Sequence, residues 1–342
     1  MKEARAPMNV GFCFNLKRTV EEPPAGDCYA EWDDEETIEA VRSALSRRHR
    51  VIPIEADEEA FEKFRHFRPD IVFNMAEGLH GVSRESQIPA MLEMLRIPYT
   101  GSDPLTLALC LDKSRAKEVL SYHGIPTPPF TVVQDLQKKR ELPPFPLIVK
   151  PISEGSSKGV GNSALVRTPK ELREQISLVL TRYCQPALVE KYLPGREFTV
   201  ALLGNGPDLQ VLPIVEIQFH RLPGNINPIY SFEAKWIWDT VEKPLEIFVC
   251  PAKVSQNLGR KIQAVCKAAF AALRCRDWCR IDIRLDASGE PHVLELNPLP
   301  GILPNPDANS CFPKAARTAG ISYDDLINRV LDIACQRYGL QP

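Results

Sequence analysis

Residues 280–301 read RIDIRLDASGEPHVLELNPLPG, and this stretch predicts a β-hairpin. In its first arm apolar and polar residues alternate, which is the period-2 pattern of a strand with one buried face. The second arm, HVLELN, follows a turn-forming stretch. The hairpin therefore carries its charged side chains on one face. The apolar residues of the first arm are Ile281, Ile283 and Leu285, and the polar ones are Arg280, Asp282 and Arg284.

The register of the hairpin decides which charged groups meet. With a two-residue turn at 288–289, Asp282 lies opposite Glu295 and Arg280 lies opposite Asn297, whereas a three-residue loop would shift the pairs by one. Carboxylates opposed at about 4.5–5.5 Å repel each other and favour a cation between them. Two carboxylates and an amide oxygen are hard ligands that suit Mg²⁺. The alternative for this hairpin alone is a solvated polar face.

Length and composition predict an ordinary protein of two or three domains. The chain has 342 residues, 44% of them hydrophobic and 25% charged. Its net charge is −2, from 42 basic and 44 acidic residues, so charge gives no reason to expect a nucleic acid or a membrane surface as partner. We found no apolar run of membrane-spanning length and no signal peptide, so we expect a cytoplasmic protein that acts on small molecules.

The first hundred residues predict a Rossmann-like β-α-β-α-β unit. We expect no dinucleotide site here, because no G-x-G-x-x-G follows a strand. The insertion EEPPAGDCYAEW lies at the carboxyl end of the first strand, where open α/β sheets bind ligands, and is a candidate substrate loop. The predicted strands are MNVGFCFN, RVIPIEA and DIVFNMAE, and the predicted helices run from about 33 to 48 and from about 85 to 96.

The next ninety residues predict a small α+β unit. Helix LDKSRAKEVLSYHG carries Lys113 near its start, and strand FPLIVKP ends near Lys150. The following SEGSSKGVGNSALV is rich in glycine and serine, a composition that leaves backbone N–H groups free for phosphate oxygens. It differs from a Walker loop, since G-K-[ST] and a following helix are absent. Strand PFTVV, helix PKELREQISLVLTRY and strand PALVEKYL complete the unit, which we expect to close over a nucleotide as a lid.

The remaining residues predict a second sheet with two helices. The opening hairpin belongs to this sheet, and the charged ends of both sheets are expected to face one gap. The predicted strands are GREFTVALLG and QVLPIVEIQF, and the predicted helices are NLGRKIQAVCKAAFAALRC and Tyr323 to about Tyr338, after the start signal at Ser322.

Six separated motifs together resemble the ATP-grasp superfamily, most closely the D-alanine–D-alanine ligases. They follow the family's order from about Asp70 to the C-terminus: YTGS with LDKSRAK, IVKPISEGSSKG, LVEKYLPGREFTV, FEAKW, CRIDI and LELNPLPG. The resemblance implies a mixed α/β and α+β protein of three-domain ATP-grasp architecture. Its parts are a Rossmann-like substrate domain at 1–103, a central lid at 104–190 and a C-terminal catalytic domain at 191–342.

The resemblance also implies a reaction. A substrate carboxylate attacks the γ-phosphate of ATP, and an amine then displaces phosphate from the acyl phosphate to give an amide, ADP and phosphate. The implied cofactors are ATP and two Mg²⁺ ions, or Mn²⁺ in their place, and homodimers are common in the family. D-Alanyl-D-alanine synthesis for peptidoglycan is one version. The alternatives are a ligase for L-amino acids or for a specialised peptide or amine substrate, and a nucleotide-binding regulator without ligase activity.

The resemblance assigns the nucleotide site residue by residue. Lys113 and Lys150 match the family's lysines that neutralise phosphate charge. Glu197 matches an acceptor for a ribose hydroxyl. The phosphate loop corresponds to Glu154, Gly155, Ser156, Ser157 and Gly159, and the adenine hinge to Glu190, Lys191, Tyr192 and Leu193. Ser156 is also expected to align the first substrate.

The catalytic and metal residues come mainly from the opening hairpin. Arg280 matches the arginine that stabilises the tetrahedral oxyanion, and the backbone N–H of Gly301 matches a second oxyanion donor. Lys235 matches the lysine of a mobile loop that closes on the γ-phosphate. The metal ligands implied by the resemblance are Asp282, Glu295 and Asn297.

The substrate ends depart from the family pattern. Trp236 stands where a tyrosine is common, and an indole N–H donates but does not accept a hydrogen bond. Ser310 keeps the place of a serine that holds the acceptor carboxylate. The loop that contains it, ILPNPDANSCF, is longer and richer in proline than is usual in the family. For the ammonium of the first substrate, Glu31 is the nearest match and Asp33 is an alternative. The histidine of the second N-terminal loop is replaced near Asn74, Glu77 and His80.

Overall fold

A computed structural model describes residues 7–18, 31–222, 226–238 and 245–341, except for the side chain of Trp236. The first unit is a parallel three-stranded sheet with strand order β2-β1-β3, which confirms the predicted β-α-β-α-β unit. The candidate substrate loop EEPPAGDCYAEW lies mostly outside the described residues. The elements are β1 (Asn9–Phe14), α1 (Glu35–Ser46), β2 (Arg50–Glu55), α2 (Ala60–Phe67), β3 (Ile71–Asn74) and α3 (Gln87–Leu95).

The second unit is a four-stranded antiparallel sheet with strand order β4-β7-β5-β6. Thr168 and Glu171 form a capping box at the start of its helix α6, each side chain bonding to the other residue's backbone N–H. The elements are α4 (Pro104–Leu111), α5 (Lys113–Tyr122), β4 (Phe130–Val133), β5 (Leu147–Pro151), β6 (Leu165–Val166), α6 (Pro169–Arg182) and β7 (Ala187–Lys191).

The third unit is a six-stranded sheet with path β11-β10-β8-β12-β13 and with β9 paired to β8. The final helix has the predicted bounds and is capped by Ser322, whose side chain accepts from the N–H of Asp325. The elements are β8 (Glu197–Leu203), β9 (Gln210–Val211), β10 (Val215–Ile217), β11 (Phe248–Val249), α7 (Gln256–Ala272), β12 (Trp278–Leu285), β13 (Pro291–Asn297), α8 (Cys311–Thr318) and α9 (Tyr323–Tyr338).

The hairpin β12-β13 has the predicted pairs but not the predicted turn. Asp282 lies opposite Glu295, and Arg280 lies opposite Asn297. The turn comprises three residues, 287–289, because Leu285 pairs with 291 and the N–H of 286 donates to the carbonyl of 290. The ladder shifts by one residue just after Asp282, which restores the predicted register. The prediction of a two-residue turn was therefore wrong. The β-bulge shifts the pairing by one residue and so offsets the extra residue of the turn.

A continuous core joins the first and third units. The ring of Trp278 lies 5.8 Å from the rings of both Phe73 and Phe312, and all three side chains are buried. Asp277, fully buried beside them, accepts from the N–H of Gly101 at 2.8 Å and pairs with Arg337 at 2.7 Å. These contacts hold the first unit against the third sheet, and the predicted domain boundaries at 103 and 190 stay predictions.

Three helices of the described chain, α2, α4 and α8, were not predicted. Helix α4 has the sequence PLTLALCL, whose leucines alternate as in a strand, although Asp103 caps it by accepting from the N–H of Thr106. Helix α8 follows a proline-rich loop. Within the described parts of the chain, no helix is both long and apolar enough to cross a membrane.

Candidate active site

A cavity of about 540 Å³ lies where the three units meet. Apart from Gly159 of the phosphate loop, the residues predicted to bind the nucleotide line it, and so do the four predicted catalytic residues: Lys113, Lys150, Glu154, Gly155, Ser156, Ser157, Glu190, Lys191, Tyr192, Leu193, Glu197, Lys235, Arg280 and Gly301. Residues from separate parts of the sequence are thus brought to one concave surface, as expected for a small-molecule site.

Two lysines and one glutamate form a buried charge cluster in the cavity wall. The carboxylate of Glu190, with 1% of its side chain exposed, contacts the ammonium of Lys150 through one oxygen and that of Lys117 through the other, the latter at 2.9 Å. Burial acts against these charges, but the two lysines hold the pKa of Glu190 below its usual value. Burial lowers the pKa of Lys117. The cluster carries one excess positive charge, which favours phosphate nearby.

Lys117 was missed by the sequence analysis. It lies four residues after Lys113 on α5, and residues four apart share a helix face. Its ammonium also donates to the hydroxyl of Thr127 at 2.8 Å. The spacing K-x-x-x-K was therefore a usable signal for a second lysine directed to the same region.

The predicted metal ligands lie together on the hairpin face. Asp282 and Glu295 face each other across the strands, and Asn297 lies opposite Arg280. Glu295 pairs with the ammonium of Lys113 at 3.0 Å, and Asp282 pairs with Arg280 at 3.1 Å.

The donor set of this face fits a hard divalent cation, since two carboxylates and an amide oxygen are what Mg²⁺ accepts. Burial raises the pKa of Asp282, and the neighbouring charge of Glu295 raises it further, so a cation between them would relieve the repulsion. No cluster of three or more His, Cys, Asp or Glu side chains suited to a metal occurs among the described residues. Water and phosphate oxygens would therefore complete the coordination of Mg²⁺.

The phosphate loop is tied to the segment that carries Lys235. The ammonium of Lys235 donates to the hydroxyl of Ser156 at 3.2 Å, and the hydroxyl of Ser157 donates to the carbonyl of Tyr230 at 3.0 Å. Both serines have positive φ angles, 51° and 60°, a strained conformation for residues other than glycine and one that occurs at functional sites. Burial, together with the charge of Arg280, lowers the pKa of Lys235 to about 8.

Glu31 connects the first unit to the phosphate loop. Its carboxylate accepts from Arg84 at 2.7 Å, from Lys158 at 2.9 Å and from the N–H of Gly155 at 2.7 Å. Lys158 also pairs with Glu154 at 2.6 Å. A substrate ammonium at Glu31 would share the carboxylate with these three donors. Arg84 was missed, because nothing in the sequence shows that such distant segments meet, whereas Lys158 was missed although it lies within the predicted phosphate loop.

The other candidates for the first-substrate end are dispersed. Asp33 lines the cavity, and burial together with neighbouring Asp34 raises its pKa to about 8. Glu77 and His80 are not among the residues that line the cavity. Burial, followed by the charge of Glu85, raises the pKa of Glu77, whereas His80 is exposed. Trp236 lies in a short π-helix, Ala234–Trp238, and its side chain lies outside the described part.

At the acceptor end, Ser310 closes a loop. Its hydroxyl accepts from the N–H of Leu303 at 3.1 Å and donates to the carbonyl of Gly301 at 3.2 Å. Ser310 lines the cavity, as predicted for a residue near the acceptor carboxylate. Its hydroxyl hydrogen is engaged, so binding a carboxylate there requires that the hydroxyl rotate.

Arg284 is a further cavity residue that was not predicted. Its guanidinium donates to the carboxylate of Glu197 and to the hydroxyl of Tyr192, each at 2.7 Å. It lies two residues after Asp282 in a strand, so the alternation that placed Arg280 and Asp282 on one face also places Arg284 there. That periodicity was the available signal.

Comparisons with known proteins bear on the family and the fold of the chain. A family model described as "D-ala D-ala ligase C-terminus" matches residues 119–332. A D-alanine–D-alanine ligase from Pelotomaculum thermopropionicum is 31% identical over 317 residues, which cover 89% of this chain and 93% of that protein. An uncharacterized protein from Sinorhizobium fredii is 38% identical over 316 residues, which cover 90% of each chain.

A solved structure has the same fold. The D-alanine–D-alanine ligase from Bacillus anthracis complexed with ATP superposes with a TM-score of 0.73 at 23% identity, over 97% of this chain and 99% of that chain. The fold, the ordered motifs and the extent of the sequence matches lead to one conclusion: the chain belongs to the D-alanine–D-alanine ligase family.

Proposed function

We propose that the protein is an ATP-dependent ligase that joins two amino acids through an acyl phosphate and releases ADP and phosphate. One observation carries the proposal: a single cavity brings together the cations Lys113, Lys150, Lys235 and Arg280 with the carboxylates of the hairpin. Phosphoryl transfer depends chiefly on positioning and charge stabilisation, and this cavity supplies both.

Each step has residues suited to it. Lys113, Lys150 and Lys235 neutralise the phosphates, while the substrate carboxylate attacks the γ-phosphorus and ADP leaves. The amine then attacks the carbonyl carbon, and Arg280 with the N–H of Gly301 stabilises the oxyanion before phosphate leaves. Bound at Asp282, Glu295 and Asn297, Mg²⁺ would add charge stabilisation for the transferred phosphoryl group. Loop closure would exclude water from the acyl phosphate.

The identity of the amino acids belongs to this proposal. D-Alanine is the substrate named for the ligase relatives, and L-amino acids are the alternative. Glu31 and Ser310, the side chains predicted to bind the two substrates, are hydrogen-bonded to other residues of the protein. A wide range of amino acids should therefore be tested as substrates. Use of Mg²⁺, a homodimeric assembly and a cytoplasmic location are further parts of the proposal, and family membership supports them.

The test is a substrate screen. Purified protein with Mg-ATP is given D- and L-amino acids singly and in pairs, and ADP release and product mass are measured. We expect ADP only with suitable amino acids, and a product equal to the two substrates minus water. Absence of ADP with every amino acid, amine and dipeptide would contradict ligation, and ATP binding without turnover would favour a regulator.

A further inference from the structure

The segment that carries Lys235, residues 226–238 (the Lys235 segment), packs against the second unit as well as the third. Its Ile229 is 3% exposed and lies in a small apolar cluster made mainly of second-unit side chains. The backbone N–H of Phe232 donates to the carbonyl of Val160 at 2.9 Å, just after the phosphate loop. The place of this segment beside the phosphate loop is therefore set by contacts along its length and not by Lys235 alone.

Two asparagines join the two stretches in both directions. The side-chain oxygen of Asn162 accepts from the N–H of Asn227 at 2.8 Å, and the side-chain NH₂ of Asn227 donates to the carbonyl of Asn162 at 2.8 Å. Arg167 donates to the side-chain oxygen of Asn227 at 3.2 Å, and the N–H of Asn162 donates to Glu233 at 3.2 Å. Because each asparagine binds a backbone group of fixed polarity, Asn162 must present its oxygen and Asn227 its nitrogen.

This asparagine pair supports contacts inside the cavity without lining it. Asn162 and Asn227 are not among the residues that line the cavity, so they act through other residues. The ammonium of Lys235 donates to the hydroxyl of Ser156 at 3.2 Å inside the cavity. Ser156 has a φ of 51°, and such a strained backbone persists only where the surrounding structure holds it. Loosening the Lys235 segment would therefore disturb both a cation and the loop proposed to hold the γ-phosphate.

We propose that Asn162 and Asn227 are positioning residues, which fasten the Lys235 segment to the phosphate loop so that the two form one lid over the acyl phosphate. With the pair intact, Lys235 stays beside Ser156 and water is excluded until the amine attacks. Without it the segment separates more often, and water attacks the acyl phosphate to return the amino acid and phosphate. ADP then forms without ligated product. The inference rests on the proposed function, because the acyl phosphate belongs to that proposal.

The ratio of ADP to ligated product measures this role. With amino acids that the wild type ligates, the wild type should form one ADP for each product. In Asn162→Leu the N–H of Asn227 loses its acceptor, and the ratio should rise to at least about two. A variant that is only less stable would lose folded enzyme and lower ADP and product equally. A ratio that stays at the wild-type value would therefore overturn the inference.

Aspartate at the two positions should have opposite effects. Asn162→Asp keeps an acceptor oxygen for the N–H of Asn227, with Arg167 nearby to offset the new charge, and should restore the ratio that Asn162→Leu loses. Asn227→Asp removes the NH₂ donor and turns a carboxylate oxygen towards the carbonyl of Asn162, so the ratio should rise. Equal ratios for the two aspartate variants would overturn the inference. Asn257→Leu, at an exposed position on α7, is the control, and a rise there too would count against the pair.

Hydrogen exchange tests the fastening without substrates and so independently of ligase activity. Peptides covering 154–164 and 226–238 of the full chain are followed by mass spectrometry. Asn162→Leu should speed exchange in both stretches by about threefold or more, whereas Asn162→Asp should not. Unchanged exchange in either stretch would overturn the inference, even in a protein that ligates amino acids. The expected rise in a protein that ligates nothing would support the fastening and overturn the ligase proposal alone.

Discussion

Removing the charge of Glu190 should destabilise the protein strongly. Glu190 is the carboxylate between Lys117 and Lys150, and both Glu190 and Lys117 have only 1% of their side chains exposed. Glu190→Gln keeps the shape but leaves two buried ammonium groups without a counter-charge. Removing one partner of a buried ion pair costs about 3–5 kcal/mol. At roughly 2–4 °C per kcal/mol, the unfolding midpoint should fall by about 6–20 °C.

Calorimetry of matched variants measures this cost. Lys117→Met removes one of the two cations and leaves Glu190 paired with Lys150, so its midpoint should fall less than that of Glu190→Gln. The surface pair Lys170–Glu174, 3.9 Å apart with side chains 86% and 65% exposed, provides the control. Glu174→Gln should stay within about 2 °C of the wild type. A Glu190→Gln midpoint equally close to the wild type would refute the role of the buried cluster.

Three more outcomes follow from the structure. Because the lowered pKa of Lys235 is about 8, kcat/KM for ATP should fall as pH rises through about 8 and this lysine loses its charge; a flat profile between pH 7 and 9 would contradict this. Glu295→Ala removes a proposed metal ligand and should reduce ADP release by about 100-fold or more; a normal rate would show that the metal assignment is wrong. Gly159 has φ +73° and a Cβ there would lie 2.4 Å from Pro151 Cγ, whereas Gly259 is helical with its nearest neighbour at 3.6 Å. Gly159→Ala should therefore lower the unfolding midpoint and Gly259→Ala should raise it slightly, and equal shifts would contradict the geometry.

The hairpin shows how far local sequence could predict the structure. Alternation located its strands, and the pairs Asp282–Glu295 and Arg280–Asn297 are confirmed. The turn was wrong, because a glycine within ASG suits both two- and three-residue turns. Sequence gives no signal for a bulge that depends on the packing of a strand against its neighbours. The predicted register was therefore correct only because the extra residue of the turn and the β-bulge offset each other.

The residues of the candidate site likewise fall into those that the sequence could predict and those that it could not. Residues in ordered motifs could be placed in one cavity before the structure, because their order and chemistry match a family. Arg84 could not, since it meets Glu31 only through the fold, whereas Lys158 lies within the predicted phosphate loop. Lys117 and Arg284 could have been predicted as site residues, because helix and strand periodicity put them on the same faces as residues that were predicted. What sequence could not provide was contacts between distant segments.

The most direct test of the acyl phosphate mechanism follows an oxygen atom. An amino acid that supports ADP release in the screen is labelled with ¹⁸O in its carboxylate, and the phosphate released in a single turnover is analysed by mass spectrometry. If the carboxylate attacks the γ-phosphorus and the amine then displaces phosphate, the phosphate carries one ¹⁸O from the amino acid. Unlabelled phosphate released together with the ligated product would contradict the acyl phosphate on which the account depends.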